Sequence, residues 1–529
     1  MSAPTSTAAP TTASLAQQAH GYFVARQWGQ ALAVYQVLAK VHRHALVDHA
    51  QALCLVGLGR MEDALNMLDA ALLKDPAHWA SSLMKARLLT HQGRVDDAQR
   101  ILQQHADHPD AGPEARLDLG LLELSDLGNP LAARQYLEPL LGNPAVAEKA
   151  QAAWWVSNLY DRDCTALQLT QHLHRFARQH LVPSEADAKQ IAMAKATAPA
   201  RMFTKRRRIG LLSPLFTASP VYFLTISTFK AMVAHADLVF YDRSEKKGDW
   251  ATQQFKAIAS TWRTCHQHSP LQLAHLMVHD QLDAIIDLGG WMDWGGLKAL
   301  AFRPAPRQIK WVGGQSTSTG MSCFDGFVCD QWHVPDNLSH LYSEPLIRVP
   351  GGYADYTPPA YMPQALPLSK RAGGYGVISN PNKFSRVFFA HLAMQVMPKV
   401  MQGKVPLIFI ERRFEREPLR NRVLQSLVEH GFAQAHAAHA AGMIKFLAPR
   451  NHPEFLHSLS HLTALLDTFP YSSGLTAAEA DALEVPIAVR TGELFCERHS
   501  HALQQKKLHW GKQPVVRGPS IAQYLMDYL

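Results

Sequence analysis

The sequence predicts two architectures in one chain: an array of helical repeats, followed by two α/β lobes with mostly parallel sheets. At 529 residues the chain is too long for a single hydrophobic core, so several domains are expected. Its first third repeats a turn and an amphipathic helix at a nearly constant spacing. From Arg208 onward, short apolar runs alternate with helical segments, which is the pattern of α/β layers.

The composition limits the classes of function. With 47% hydrophobic and 18% charged residues the chain is expected to be globular, and no apolar run approaches the roughly eighteen residues of a membrane span. The N-terminus, MSAPTSTAAPTTAS, has no signal-peptide pattern, which predicts a cytoplasmic protein. The six cysteines form no CxxC pair and are expected to be buried thiols.

The charge favours an anionic ligand or partner. Lysine and arginine number 52 against 44 acidic residues, a formal net charge of +8, and 28 histidines add positive charge below neutral pH. The dense basic run from Lys205 to Arg208 directly precedes an apolar strand pattern and contains no aromatic residue. It predicts the solvated start of a strand, and nucleic acid is not expected as a partner.

Helical repeats are predicted from a glycine-containing turn that precedes a small alanine by five residues. The three pairs are Gly59 and Ala64, Gly93 and Ala98, and Gly128 and Ala133. Successive alanines lie 34 and 35 residues apart, and Ala31 extends the series backwards by 33. This spacing resembles that of the tetratricopeptide repeat (TPR), a helix-turn-helix of about 34 residues. The small side chains let the paired helices approach closely, and stacking buries their apolar faces.

Two roles are open for this array, which we place at residues 13 to 160 after a flexible tail at 1 to 12. Its concave surface holds a polypeptide or a partner protein, or the solenoid only caps the next domain. Residues 161 to 204 are expected to form connecting helices.

Two series of candidate strands predict two Rossmann-like lobes. The first series lies at 209–215, 238–241, 284–288, 308–312 and 327–329, and the second at 376–379, 406–411, 444–447, 464–467 and 486–489. The lobes are placed at 205–360 and 375–529, with a linker at 361–374. Ligands of open α/β sheets bind beyond the carboxyl ends of the strands, so a nucleotide-sugar site is expected in a cleft between the lobes.

The second lobe offers a first candidate contact for a diphosphate. Asn382, Lys383 and Arg386 leave a candidate strand and precede a predicted helix at 388–400. At a helix N-terminus they can face a pyrophosphate. An ordinary Asn-capped helix with a solvated lysine explains the segment equally well.

A second candidate contact follows the strand predicted at 464–467. The backbone amides from Gly474 onward open a predicted helix at 477–483 and can point at an anion, with Glu479 one turn in. The alternative is a polar helix cap with an exposed glutamate.

The first lobe ends two candidate strands in double-glycine loops, Gly289-Gly290 after Asp287, and Gly313-Gly314. Glycines allow a ligand to touch the backbone, or they merely permit tight turns. Neither loop matches the dinucleotide-binding or P-loop pattern, which argues against a dinucleotide oxidoreductase and an NTPase.

No metal centre and no cofactor are predicted. The HExxH motif is absent. Histidine pairs such as His436 and His439, or His499 and His501, are expected to be surface residues rather than metal ligands.

Three further segments, taken in order, carry a family resemblance. They are LAFRPAPRQ at 300–308, YSE at 342–344 followed by Leu346 and Pro350, and the segment 466–492, which begins LDTFPYSSGLT. Over roughly residues 13 to 505 the chain resembles the TPR-linked protein O-GlcNAc transferases and the related cytoplasmic adhesin N-glycosyltransferases. The resemblance implies a GT-B fold of two Rossmann-like lobes. It also implies an inverting transfer from a UDP-sugar to a protein side chain, without a catalytic metal.

The resemblance also implies roles for residues of the second lobe. Lys383 matches the basic residue that contacts the donor diphosphate in the N-glycosyltransferase branch, and Arg386 falls at the diphosphate lysine of the O-GlcNAc branch. Asn382 accompanies them. Glu479 falls where the family has an Asp that holds the uridine ribose. Thr476 matches a threonine whose hydroxyl and amide face the phosphates.

In the first lobe the resemblance assigns Gly313 and Gly314 to the loop beneath the sugar. The match breaks at two positions. Ser219 stands where the family has a histidine close to the acceptor and the donor sugar, and Gly474 replaces the histidine of the phosphate-facing turn. A neutral serine cannot act as a base. Either Asp287 takes the acceptor's proton, or the acceptor differs, or the protein binds without catalysing.

The sequence therefore predicts an inverting, metal-independent protein glycosyltransferase, with Asp287, Ser219 and Lys383 as candidate catalytic residues. A hexose or N-acetylhexosamine would pass from a UDP-sugar to a Ser/Thr or Asn side chain of a polypeptide held by the repeats. Lys383, Arg386 and the helix terminus at Thr476 would stabilise the departing UDP. Two alternatives stay open: an inactive TPR/GT-B scaffold for protein interaction, and a glycosyltransferase with a non-protein acceptor.

Overall fold

A computed structural model describes residues 11–198, 206–245, 248–371, 373–510 and 517–529. The chain divides into two compact units, Met1–Trp154 and Trp155–Leu529. The predicted flexible tail, apart from its last two residues, and Lys205 of the basic run lie outside the described residues. Among the helices of the described segments, none combines the length and the apolar character that a membrane span requires.

The N-terminal unit is built from helices that pack in chain order. They are α1 (Thr12–Val24), α2 (Trp28–Val41), α3 (Ala45–Gly57), α4 (Met61–Lys74), α5 (Trp79–His91), α6 (Val95–His105), α7 (Gly112–Ser125) and α8 (Pro130–Leu137), and α9 (Ala147–Tyr160) runs across the unit boundary. The alanines of the predicted repeat are all fully buried: Ala31, Ala64, Ala98 and Ala133. Because a larger side chain would not fit between such helices, the alanine spacing located the repeats correctly.

The turn glycines of the repeats adopt a backbone conformation that side chains rarely tolerate. Gly59, Gly93 and Gly128 have φ angles of 74°, 79° and 59°. The first repeat has Arg26 at the same position, five residues before Ala31, with φ 56°. A left-handed conformation costs a non-glycine residue about 1–2 kcal/mol. The glycine pattern therefore identifies three repeats, and the alanine spacing is needed to find the first.

The second unit begins with two helices and a seven-stranded sheet. Its elements are α10 (Ala166–His180), α11 (Glu185–Thr197), β1 (Arg207–Ser213), α12 (Pro220–Met232), β2 (Ala236–Asp242), α13 (Trp250–Ile258), β3 (Thr261–Thr264), α14 (Pro270–His279), β4 (Ala284–Asp287), α15 (Trp294–Leu300), β5 (Arg307–Lys310), β6 (Gly326–Cys329) and β7 (Leu346–Arg348). The strands are parallel in the order β3-β2-β1-β4-β5-β6-β7. The prediction missed β3 and β7, since these edge strands are partly exposed and lack a continuous apolar run.

A five-stranded parallel sheet forms the second lobe. Its elements are β8 (Tyr375–Val377), α16 (Arg386–His391), α17 (Met397–Gly403), β9 (Leu407–Ile410), α18 (Glu417–Glu429), α19 (Ala435–Ala440), β10 (Ile444–Leu447), α20 (His452–Ser460), β11 (Ala464–Leu466), α21 (Leu475–Ala482), β12 (Ile487–Ala488) and α22 (His499–Trp510). The strand order is β10-β9-β8-β11-β12. A π-helical segment, Leu392–Val396, joins α16 to α17, so the helix predicted at 388–400 is longer and less regular than expected.

The last helix, α23 (Gly518–Tyr528), belongs to the first lobe. Ile521 and Leu525 lie in the hydrophobic core of that lobe, together with Phe229 of α12. A side-chain N–H of Arg207 donates to the carbonyl oxygen of Met526 at 2.6 Å. The prediction assigned all residues from 375 to 529 to the second lobe, and it is wrong for this helix, whose apolar face completes the first core.

Candidate functional site

Lys383 lies beyond the carboxyl end of β8, and its side chain contacts the loop between β11 and α21. Its Nζ donates to the carbonyl oxygen of Ser472 at 3.0 Å and lies 4.2 Å from the ring centre of Tyr471. Burial lowers the pKa of Lys383 to about 8. The ammonium is therefore charged near neutral pH and poorly solvated, which are the conditions for a strong contact with an anion.

One carboxyl oxygen and one amide oxygen near this lysine lack a hydrogen-bond partner among the described residues. Asp467 follows β11, the neighbour of β8 in the sheet, and its Oδ1 accepts the N–H of Ser473 at 2.8 Å. Among the described residues, Oδ2 of Asp467 and Oδ1 of the buried Asn382 have no hydrogen-bond partner. Burial raises the pKa of Asp467 to about 6. Unpaired buried polar atoms are costly, so these two oxygens are candidates for hydrogen bonds to a polar ligand.

The N-terminus of α21 opens at the same turn. The helix begins at Leu475 with Gly474 at its N-cap, and no side chain caps it. The first N–H groups of a helix have no partners within the helix and carry the positive end of its dipole. Thr476, the second residue of α21, is partly buried there. The helix starts two residues earlier than predicted, and its uncapped amides suit an anionic group.

Arg386 is held by two carboxylates. Its side chain contacts Asp161 at 2.9 Å and also pairs with Asp163, and its backbone N–H donates to Asp161 at 2.8 Å. These hydrogen bonds raise its pKa further above the usual range. The contacts favour a role in fixing the start of α16, and the assignment of Arg386 to the donor diphosphate stays a prediction.

Glu479 is buried, with 1% of its surface exposed, so the alternative of a solvated glutamate is wrong. Its Oε1 lies 2.7 Å from Nε2 of His452, whose Nδ1 hydrogen-bonds the hydroxyl of Tyr361 at 2.9 Å. Burial raises the pKa of Glu479. Ribose binding by Glu479 stays a prediction, and a ribose would have to share the carboxylate with His452.

In the first lobe Asp287 and Lys310 form a buried ion pair, each 1% exposed. Nζ of Lys310 lies 3.3 Å from Oδ2 of Asp287 and donates to the carbonyl oxygen of Gly313 at 2.6 Å. The carboxylate also accepts the N–H groups of Gly289 at 3.0 Å and Gly290 at 2.9 Å. These contacts favour a structural role for Asp287, and its role as a base stays a prediction.

The two double-glycine loops pack backbone against backbone. A Cβ on Gly313 would collide with the carbonyl oxygen of Leu288, and one on Gly314 with that of Gly289. Gly314 also has a φ of 61°. This packing explains why glycine is needed, while a place beneath the donor sugar stays a prediction.

Ser219 is the N-cap of α12, but its hydroxyl does not cap the helix. The Oγ instead donates to the carbonyl oxygen of Leu215 at 2.8 Å. The hydroxyl is thus used in the turn after β1, and a catalytic role for it stays a prediction.

Sequence reasoning misplaced one histidine of this site. His499 was expected on the surface, but it is partly buried and its Nδ1 lies 3.2 Å from Nε2 of His333. The ring of His499 lies beside Gly474, since a Cβ on Gly474 would be 3.6 Å from Cδ2 of His499. Two histidines 166 residues apart give no spacing signal. Only Asp330 and His333, three residues apart after a predicted strand, hinted at a local pair.

Comparisons with known proteins agree with this architecture. The sequence model of the tetratricopeptide repeat family matches residues 55–117. A probable UDP-N-acetylglucosamine–peptide N-acetylglucosaminyltransferase, SPINDLY, of Solanum lycopersicum is 26% identical over 305 residues, which are 55% of this chain and 31% of that protein. The protein SEC of Arabidopsis thaliana, of the same description, is 29% identical over 150 residues, which are 28% of this chain and 15% of SEC. The chain thus spans less than a third of the length of these curated relatives.

A solved structure matches nearly the whole fold. A mutant of the O-GlcNAc transferase of Thermobaculum terrenum superimposes with a TM-score of 0.75 over 92% of this chain and 96% of that chain, at 18% identity. Helical repeats followed by two parallel α/β sheets are therefore common to both proteins. In sequence and in fold, the chain is similar to the TPR-containing O-GlcNAc transferases.

Proposed function

We propose that this protein transfers a hexose or N-acetylhexosamine from a UDP-sugar to a Ser/Thr or Asn side chain of a polypeptide. The full-length likeness in fold to an O-GlcNAc transferase supports this proposal, as do relatives described as peptide N-acetylglucosaminyltransferases. The helical repeats would bind the polypeptide acceptor, since stacked repeats of this type offer extended concave surfaces.

One observation carries the proposal: the charged Lys383 lies at the turn that opens the uncapped N-terminus of α21. When the glycosidic bond of a nucleotide sugar breaks, negative charge develops on the departing diphosphate. A fixed ammonium and oriented amides stabilise that charge without reorganising. Because these groups supply positive charge themselves, we infer a metal-independent reaction, and we infer inversion at the sugar carbon from direct attack by the acceptor.

The test is calorimetric titration of the full chain with UDP and a panel of UDP-sugars, for the native protein and Lys383→Ala. Loss of a charge-assisted contact of about 1.5–3 kcal/mol should weaken donor binding about ten- to hundred-fold. Lys399→Ala, an exposed lysine of the same lobe, is the matched control and should bind normally. Intact-mass analysis of co-expressed proteins then identifies the sugar and the acceptor. Equal donor binding by Lys383→Ala would contradict the site assignment.

A second candidate is a scaffold that binds proteins without catalysing. The turn-bound hydroxyl of Ser219 favours it, because no imidazole stands at that position. A scaffold would bind polypeptides but show no turnover of any UDP-sugar. Transfer to a glycan but not to a protein would instead favour a glycosyltransferase with a non-protein acceptor.

A further inference from the structure

Three side chains form a hydrogen-bonded chain that ends at the candidate donor site. The fully buried carboxylate of Asp330 lies 2.8 Å from Nδ1 of His333, and Nε2 of His333 lies 3.2 Å from Nδ1 of His499. Asp330 also pairs with Lys506 at 3.1 Å, and His333 stacks on Phe495 with ring centres 4.5 Å apart. The far end of the chain is therefore rigidly held.

The near end of the chain faces the groups proposed to bind the diphosphate. Nε2 of His499 lies 4.0 Å from where a Cβ of Gly474 would be, directly before the open N-terminus of α21. The backbone N–H of His499 donates to Oγ of Ser472, and the carbonyl oxygen of Ser472 accepts Nζ of Lys383. Among the described residues, Nε2 of His499 has no hydrogen-bond partner. The ring thus lies in van der Waals contact with the position that a Cβ of residue 474 would take.

The order of donors and acceptors fixes where a proton can be added. Asp330 is ionised, because the charge of Lys506 and the hydrogen bonds that His333 donates hold its pKa well below the usual range against the effect of burial. Nδ1–H of His333 then donates to Asp330, and Nε2 of neutral His333 accepts Nδ1–H of His499. This leaves a lone pair on Nε2 of His499. A proton added there keeps every hydrogen bond of the chain in place and spreads the new charge towards Asp330.

Without a ligand, the surroundings disfavour that proton. Burial lowers the pKa of His499 well below its ordinary value, and the neighbouring His333 and the positive charges of Lys383 and Lys506 lower it further. The carboxylate of Asp330 raises the pKa of His499. Arg498, the residue before His499 in sequence, lowers the pKa of His333. A diphosphate bound at Lys383 would reverse this balance, because it brings at least two negative charges next to the ring.

We propose that His499 takes up a proton at Nε2 when the nucleotide sugar binds, and then donates a hydrogen bond to its diphosphate. His333 and Asp330 are positioning residues that fix the tautomer and accept the hydrogen bond of the imidazolium. This inference rests on the proposed function and adds a residue to the donor site. Gly474 has no imidazole, so His499 at the start of α22 supplies one. Donor binding is then coupled to protonation of His499.

The test is calorimetric binding of UDP-N-acetylglucosamine to the full chain near pH 7, in two buffers of small and large ionisation enthalpy. The difference in heat gives the number of protons taken up, and close to one proton per bound donor is expected. UDP-N-acetylglucosamine is preferred to UDP because its diphosphate has no group that titrates near neutral pH. Lys383, with a pKa of about 8, can contribute only about a tenth of a proton at this pH.

Variants assign the proton to its residue. His499→Gln should abolish the uptake and weaken binding several-fold, whereas His501→Gln, on the same helix, should leave both unchanged. His333→Phe keeps an aromatic ring beside Phe495 but removes the acceptor of Nδ1–H, so the uptake should fall. Absence of net proton uptake by the native protein would overturn the proposal even if a variant fails to fold.

The outcomes separate the two proposals. Binding without net proton uptake, or uptake that persists in His499→Gln, would overturn the role of His499 and leave the proposed function standing. Failure of both UDP-N-acetylglucosamine and UDP to bind would overturn both.

Discussion

The two lobes use the ends of their parallel strands in opposite ways. In the first lobe, Lys310 and Asp287 neutralise each other in a fully buried pair, and two glycine loops close over them without leaving space. In the second lobe, Lys383 contacts a carbonyl oxygen and a ring, and within the described part of the chain the nearby Oδ1 of Asn382 and Oδ2 of Asp467 have no hydrogen-bond partner. Similar residue types at similar places thus give a closed structural centre in one lobe and, in the other, an open centre that we propose as the donor site.

The largest effect is expected at the closed centre. Lys310→Met should lower the free energy of unfolding by about 3–5 kcal/mol, because it leaves the buried carboxylate of Asp287 without a counter-charge. Urea denaturation measures the loss. The double variant Lys310→Met/Asp287→Asn should recover part of it, since no uncompensated charge remains. If Lys310→Met were as stable as the native protein, the pair of Lys310 and Asp287 would not be the closed centre described above.

Glycine substitutions give a second contrast between the lobes. Gly313→Ala should destabilise the protein by about 1–3 kcal/mol, because its Cβ meets the carbonyl oxygen of Leu288. Gly474→Ala should change stability by no more than about 0.5 kcal/mol, since its Cβ finds only ordinary contact with His499. Thermal unfolding of the two variants side by side tests the contrast. Equal losses at both positions would contradict it.

Removing the incompletely hydrogen-bonded carboxylate of Asp467 from the open centre should stabilise the protein. Burial raises the pKa of Asp467 to about 6 in the folded state, above the value of about 3.9 in the unfolded chain. This carboxyl therefore lowers stability progressively as the pH rises from about 4 to 6. Asp467→Asn should raise the free energy of unfolding by about 1–2 kcal/mol at pH 7 and have little effect at pH 4. A loss of stability at pH 7 would mean that the carboxylate is well paired.

The smallest expected effect is the pH dependence that Lys383 gives to donor binding. Its pKa of about 8 means that the ammonium is charged below this pH and loses its proton above it. Donor affinity should therefore fall about ten-fold more from pH 7 to pH 9 in the native protein than in Lys383→Ala, as a charge-assisted contact is lost. Calorimetry across this range compares the two proteins, because a fall caused by proton uptake at His499 is common to both. If the donor affinity of the native protein did not change between pH 7 and pH 9, the assignment of Lys383 to the donor site would be contradicted.

The fold could be predicted because its signals are local. Four alanines at repeat spacing and apolar runs between helical segments depend on residues close in sequence, and both predictions hold. Lys383 and Gly474 could be proposed as site residues for the same reason, since strand ends and helix starts are recognisable from a few residues. The edge strands β3 and β7 were missed because half-exposed strands have little apolar character.

The partners of the site residues could not be predicted, since they join distant parts of the chain. Arg386 is paired with Asp161, 225 residues earlier, and His499 with His333, 166 residues earlier. No periodicity relates such positions, and only the folded chain brings them together. The sequence therefore indicated candidate residues but not their contacts. It did not show that Arg386 pairs with two carboxylates, whereas Lys383 contacts a carbonyl oxygen and an aromatic ring.

The return of α23 to the first lobe affects the order in which the lobes can mature during synthesis. Translation releases residues from the N-terminus onward, and domains generally fold as soon as their residues are available. All strands of the second lobe emerge before Ile521 and Leu525, which the first lobe needs to complete its core. The lobe that is made first is therefore finished last, because its core around Phe229 lacks the side chains of α23 until that helix has been synthesised.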